Sequence, residues 1–198
     1  MAWKTEQWMR DVFPGSDRIY AEYRLLPRRE LAIVAGAVLD SALAELLSKR
    51  LAGQDPEIHS FLGVNGDGRA PCGSFGARIQ LALLTSVITE GDAVVLRAIK
   101  NIRNQFAHEV KADFNSSSVL PLITKLHDQF LQQSNTLIEA GHLEGTTHSL
   151  DTIKPFLANV PEAGAGLLLA VFSVYQAYFH RLYEGVQPIP SFPIGPRA

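Results

Sequence analysis

Apolar residues recur at intervals of three and four along most of this chain. They do so most clearly over residues 28–51, RRELAIVAGAVLDSALAELLSKRL, where Leu31, Val34/Ala35, Val38, Ala42, Leu46 and Leu47 fall on one side of a helical wheel. Lys49 and Arg50 sit in the last turn, where the helix dipole favours cations, and Gly53 can end the helix. The stretch 74–110 reads as two helices separated by the turn TEGD. Ser74 caps the first, whose apolar face is Phe75, Ile79, Leu81, Ala82 and Leu84. The second begins near Asp92 and carries Val95, Ala98/Ile99, Ile102, Phe106 and Val110 on one face.

A further helix starts at Leu120 or Pro121, since proline suits a first turn, and runs toward Gly141. Residues 150–185 give a short segment broken at Pro155 and Pro161, then a long apolar helix to Tyr183. A short helix capped by Asp17 is expected over 17–26. Residues 52–74 carry five glycines and two prolines and read as a long loop with a helical turn at 56–62. No strand-like alternation of useful length and no internal repeat occurs. The expected architecture is all-α, a bundle of about five to seven helices in a single domain over 1–187, followed by a proline-rich flexible tail over 188–198.

Composition narrows the chemistry. The chain has 198 residues, 46% apolar and 19% charged, with a net charge of −2. That is enough for one substantial core, and there is no global positive field to draw in nucleic acid. Cys72 is the one cysteine, so no internal disulfide can form; a reducing, cytoplasmic compartment is expected, with Cys72 as a bystander thiol. The start of the chain is unlike a signal peptide. The apolar run AGAGLLLAVFSVYQAYF is 17 residues long and interrupted by Ser173 and Gln176, against the roughly 20 a membrane span needs; it is expected to be a core helix. GVNGDG lacks the Lys-Ser/Thr of a phosphate loop, and no acidic ladder surrounds Asp67 to hold calcium. His59, His127, His142, His148 and His180 show no zinc spacing, so no metal and no cofactor are expected. The tyrosines and phenylalanine at 175, 178, 179 and 183 form an aromatic stripe suited to core or interface packing.

Two sets of polar residues stand apart. Asp40 lies in the middle of an otherwise apolar helix and wants a cation; Arg103 and Arg78, on helices that should pack against 28–51, are the candidates for a structural ion pair. Near the end of the helix beginning at Asp92, IRNQFAH gathers Arg103, Asn104 and His108. Arg97, Lys100 or Asn101, Asn104 and His108 follow one polar stripe, with Arg103 at its border with the apolar face. Arg103 and His108 are five residues apart, which is about 140° around an ideal helix. Spacing alone reads as a solvated helix face on a stand-alone structural domain.

The stretch RNQFAH resembles the RNxxxH signature of the HEPN superfamily of helical bundles. With LAIVAGAVLDSALAELLSKRL, FGARIQLALLTSVITEGD and LRAIKNIRNQFAHEV in this order, residues 28–112 resemble the mannitol operon repressor-like family. That resemblance implies a HEPN-like fold and a transcriptional regulatory protein working through protein partners. The negative net charge and the lack of a basic recognition helix argue against direct DNA binding. A homodimer is expected, because the C-terminal helix is more apolar than a one-sided surface helix requires. The HEPN resemblance also implies an alternative, a metal-independent ribonuclease acting on RNA. His108 would then be the general acid/base, Arg103 would neutralise the scissile phosphate, and Asn104 would orient the phosphate or the histidine. In the structural version of the same motif, RNxFAH is a packing signature and His108 caps the helix end.

Overall fold

Asp40 lies on a helix that packs against four others. The structure, a computed structural model, describes residues 23, 25–51, 55–64, 69–139 and 164–190. Six helices occur among them, with no strand: α1 (Arg28–Arg50), α2 (Asp55–Leu62), α3 (Phe75–Leu84), α4 (Glu90–His108), α5 (Leu120–Glu139) and α6 (Gly164–Gly185). The fold is an all-α bundle. Most of the helix expected over 17–26, and the segments broken at Pro155 and Pro161, lie outside the described residues.

α1 packs on α6, α4, α3 and α2; α4 packs in addition on α3 and α5, and α5 on α6. With neighbours on several sides, α1 buries more than one stripe: Leu31, Ala35, Val38, Leu39, Ala42, Leu43, Leu46 and Leu47 are all enclosed. By length and composition α1 alone among the described helices could cross a membrane, and most of that window is buried inside the fold, as in a core helix.

Local signals set the helix ends. The Ser74 hydroxyl accepts from Ala77 N–H at 3.2 Å and starts α3. Thr89 and Asp92 form a reciprocal capping box that starts α4 two residues before Asp92. Between them, Ser86 takes a positive φ of 54°. Val87 N–H donates to Ala82 O and Ser86 N–H to Leu83 O, so α3 closes in the pattern usually ended by glycine.

Two expected core residues fall outside. Leu84 is 72% exposed, because α3 buries Phe75, Arg78, Ile79 and Ala82, a stripe that its last residue misses. Val110 is 86% exposed. α4 stops at His108, and Arg29 Nη1 donates to the carbonyls of the cap residue Glu109 and of Val110 just beyond it, where the chain has left the helix. The apolar side of α6 is buried within the chain by Leu167, Leu168, Val171, Phe172, Tyr175 and Phe179. Its hydrophobicity, on which the expectation of a dimer rests, is thus accounted for by α1 and α5.

The far end of α4 is fixed by a buried carboxylate. Asp92 is fully enclosed. One oxygen accepts from Gln133 Nε2 at 2.8 Å and Tyr175 OH at 3.0 Å; the other accepts from Thr89 N–H at 2.9 Å, Thr89 OH at 2.8 Å and Tyr178 OH at 3.2 Å. Among the described residues no cation meets this carboxylate, but five donors and a helix N-terminus do, and together they replace its hydration. Burial, then the charge of Asp92, pushes the Tyr175 and Tyr178 hydroxyls well above their ordinary range, so both remain donors. Asp92→Ala strands these donors and should cost about 3 kcal/mol or more, whereas Tyr178→Phe removes one of them and should cost about 1 kcal/mol; urea unfolding of the two variants measures the difference.

Candidate functional site

The polar residues singled out by the sequence meet around the middle of α1. Asp40 Oδ1 accepts from Arg78 Nη1 at 2.6 Å. The rest of the Arg78 guanidinium is also engaged. Nη2 donates to Leu62 O at 2.6 Å, and Nε lies 3.1 Å from Cys72 O and 3.2 Å from Leu62 O. Arg78 is 7% exposed. It therefore ties α3 to α1 and also clamps both ends of the loop that leaves α2, which a point charge such as lysine could not do. Burial pushes the Asp40 carboxyl up from its ordinary value, and Arg78, then the more distant charge of Arg103, push it back down without cancelling the rise. Desolvation outweighs attraction here, as it often does for a buried pair.

Arg103 reaches the same neighbourhood from α4. Its aliphatic stem lies across Gly36 of α1: a Cβ placed at residue 36 would come within 2.9 Å of Arg103 Cδ and 3.0 Å of its Cβ and Cγ. α1 and α4 approach this closely only because residue 36 has no side chain. The Arg103 Nε is sealed from solvent without a hydrogen-bond partner, and Nη1 donates to Asn104 Oδ1 at 3.4 Å, a long contact. Arg103 is half-buried and so is Asn104.

His108 is elsewhere. It is the last residue of α4, exposed, five residues beyond Arg103 on an uninterrupted helix. Its end of α4 is held by other groups. Arg29 donates to the carbonyls of Glu109 and Val110, Arg28 pairs with Asp113 at 3.2 Å, and Glu109 accepts from Ser118 at 2.7 Å and from Gln105. These bonds hold the Glu109 carboxyl below its ordinary value, and the Asn115 backbone N–H, ahead of Arg28, does the same for Asp113. Further up the polar stripe, Arg97 donates to Gln80 at 2.9 Å and Lys100 lies over Gly76, so both lean on α3.

The structure thus brings Asp40, Arg78 and Arg103 into one cluster, with Asn104 at its margin, and leaves His108 outside it. Cys72 is buried, its carbonyl in the Arg78 clamp and its thiol pushed up by burial. Among the described residues no group of three His, Cys, Asp or Glu side chains could hold a metal ion. Sequence reasoning missed the Asp92 network, although Thr89-x-x-Asp92 is a capping-box spacing and Tyr175 and Tyr178 stand one helical turn apart. It also missed Gly36, whose role depends on which residue of α4 crosses it. No family model, curated protein or solved structure matches the chain.

The close approach of α1 and α4 can be measured. Gly36→Ala gains helix propensity but overpacks the Arg103 stem, and should lower stability by about 1 kcal/mol or more on balance. In an Arg103→Ala background, where only the Cβ contact remains, the same substitution should be close to neutral. A double-mutant cycle by chemical denaturation reads the coupling.

Proposed function

We propose that the chain is a transcriptional regulatory protein similar to the mannitol operon repressor-like family, acting in the cytoplasm through protein–protein contacts. The observation that supports this reading is the division within residues 103–108. Arg103 is taken up by the α1–α4 contact, whereas His108 is exposed at the helix end. A phosphate-cleaving centre needs its cation and its general acid/base on the same phosphate. On one straight helix these two residues point about 140° apart.

Large apolar side chains also stand out at the end of the bundle where α4 stops. Val110 is 86% exposed, and Leu25, just before α1, is 77% exposed. Arg29, the second residue of α1, holds the Val110 carbonyl and so sets the start of α1 against this end of α4. Apolar contact points of this kind suit a protein partner. The negative net charge argues against direct binding to DNA.

The ribonuclease alternative draws on one observation, the exposed imidazole of His108 with the Arg103–Asn104 contact one turn away. It requires a second copy of the chain to supply the missing partner to each half-site.

Expression in a strain lacking the chain tests the regulatory reading. A defined set of transcripts should change on deletion and be restored by the wild type and by His108→Ala. Val110→Glu, which puts a charge on the exposed corner without touching the core, should fail to restore them while keeping the wild-type melting temperature. Unchanged transcripts on deletion would contradict the proposal.

A further inference from the structure

We propose that the C-terminal end of α1 is a docking site for an extended, proline-containing main chain, and that residues 187–189 occupy it in cis as a releasable strap. α6 ends at Gly185, and Val186 N–H makes the last helical contact, to Leu182 O at 2.7 Å. The chain then continues Gln187-Pro188-Ile189-Pro190. Two hydrogen bonds fasten it, one on each side of Pro188. Arg50 Nη1 donates to Gln187 O at 2.8 Å, and Ile189 N–H donates to Arg50 O at 2.8 Å.

Both bonds use the strap's main chain, so the site reads an extended backbone rather than particular side chains. The same logic lets an added strand dock on an exposed sheet edge. Proline at 188 and 190 fixes φ and biases Gln187 and Ile189 toward extended conformations, so little entropy is lost on docking.

The receptor side is built independently of the strap. Arg50 Nε donates to Thr85 O at 3.2 Å, which holds the guanidinium against the end of α3. Lys49 donates to Tyr183 O and lies 4.7 Å from the centre of the Tyr183 ring, which fixes the end of α6 beside it. The Arg50 carbonyl is one of the four at a helix C-terminus without an intrahelical donor, so it keeps an open demand for an N–H when the strap leaves.

The strap buries little. Gln187, Pro188 and Pro190 are exposed, and only Val186 and Ile189 are half-buried. Two neutral or singly charged hydrogen bonds with so little apolar burial suit local release far below the energy of global unfolding. The ligand that fits the vacated site is an extended segment with a carbonyl, a proline and then an N–H.

The test uses the full chain and a peptide spanning residues 185–191. By hydrogen exchange, the Ile189 amide should be protected at least about tenfold relative to the same amide in the free peptide. Arg50→Ala should abolish that protection while leaving the core amide of Ile99 unchanged. Ile189→Pro removes the strap's donor and frees the site, so this variant should bind the labelled peptide about tenfold more tightly than the wild type does, since self-occupancy lowers apparent affinity. Arg50→Ala should bind none. Free-peptide exchange at Ile189 in the wild type, no peptide binding to the Ile189→Pro variant, or equal binding to Arg50→Ala would overturn the proposal. The Ile189→Pro arm decides the matter even if Arg50→Ala fails to fold.

Discussion

The pairing of a half-buried carboxylate on α1 with a buried guanidinium on α3 is the constraint on which the packing around α1 depends. Asp40 on α1 must be met by donors, and Arg78 of α3 meets it at 2.6 Å. To do so Arg78 is itself buried, and its remaining donors need acceptors, which the loop carbonyls of Leu62 and Cys72 provide. One buried charge thus fixes the position of α3, the exit of α2 and the entry to α3 together. Arg103 contributes at longer range from α4, across the gap left by Gly36. Burial raises the Asp40 carboxyl above its ordinary value, and the charges of Arg78 and Arg103 act against that rise.

A second buried charge does the same work at the opposite end of α4. Asp92 collects donors from α5 and α6, so α4 is held at its start by hydrogen bonds and along its length by packing on α1. A helix held in this way has little freedom to bend His108 toward Arg103. This placement is the physical ground for treating the arginine as part of the helix interface and the histidine as part of the surface.

Much of the helical order was legible in the sequence because it is local. The three–four periodicity of residues 28–51 and the Ser74 cap each depend on residues within a few positions, whereas TEGD, expected as the turn between two helices, is the cap and first turn of α4, the turn itself lying at 85–88. The ends of stripes were less legible. Leu84 and Val110 continue the apolar pattern, but each lies where the chain is already turning away from the core. For Asp40 the sequence offered two guanidinium partners, and only the packing of α3 against α1 decides that Arg78 makes the direct bond. Beyond its Thr89–Asp92 cap, the Asp92 network joins residues more than forty positions apart, and Gly36 matters only through the side chain that crosses it; no short window encodes those contacts.

Arg103 packs in the α1–α4 interface, and on the proposed regulatory reading RNQFAH is not a cleavage centre. Incubation of the purified full chain with RNA in EDTA, beside His108→Ala, tests it most directly. The account predicts intact RNA with both proteins. Cleavage by the wild type that His108→Ala loses, leaving cyclic-phosphate ends, would contradict it.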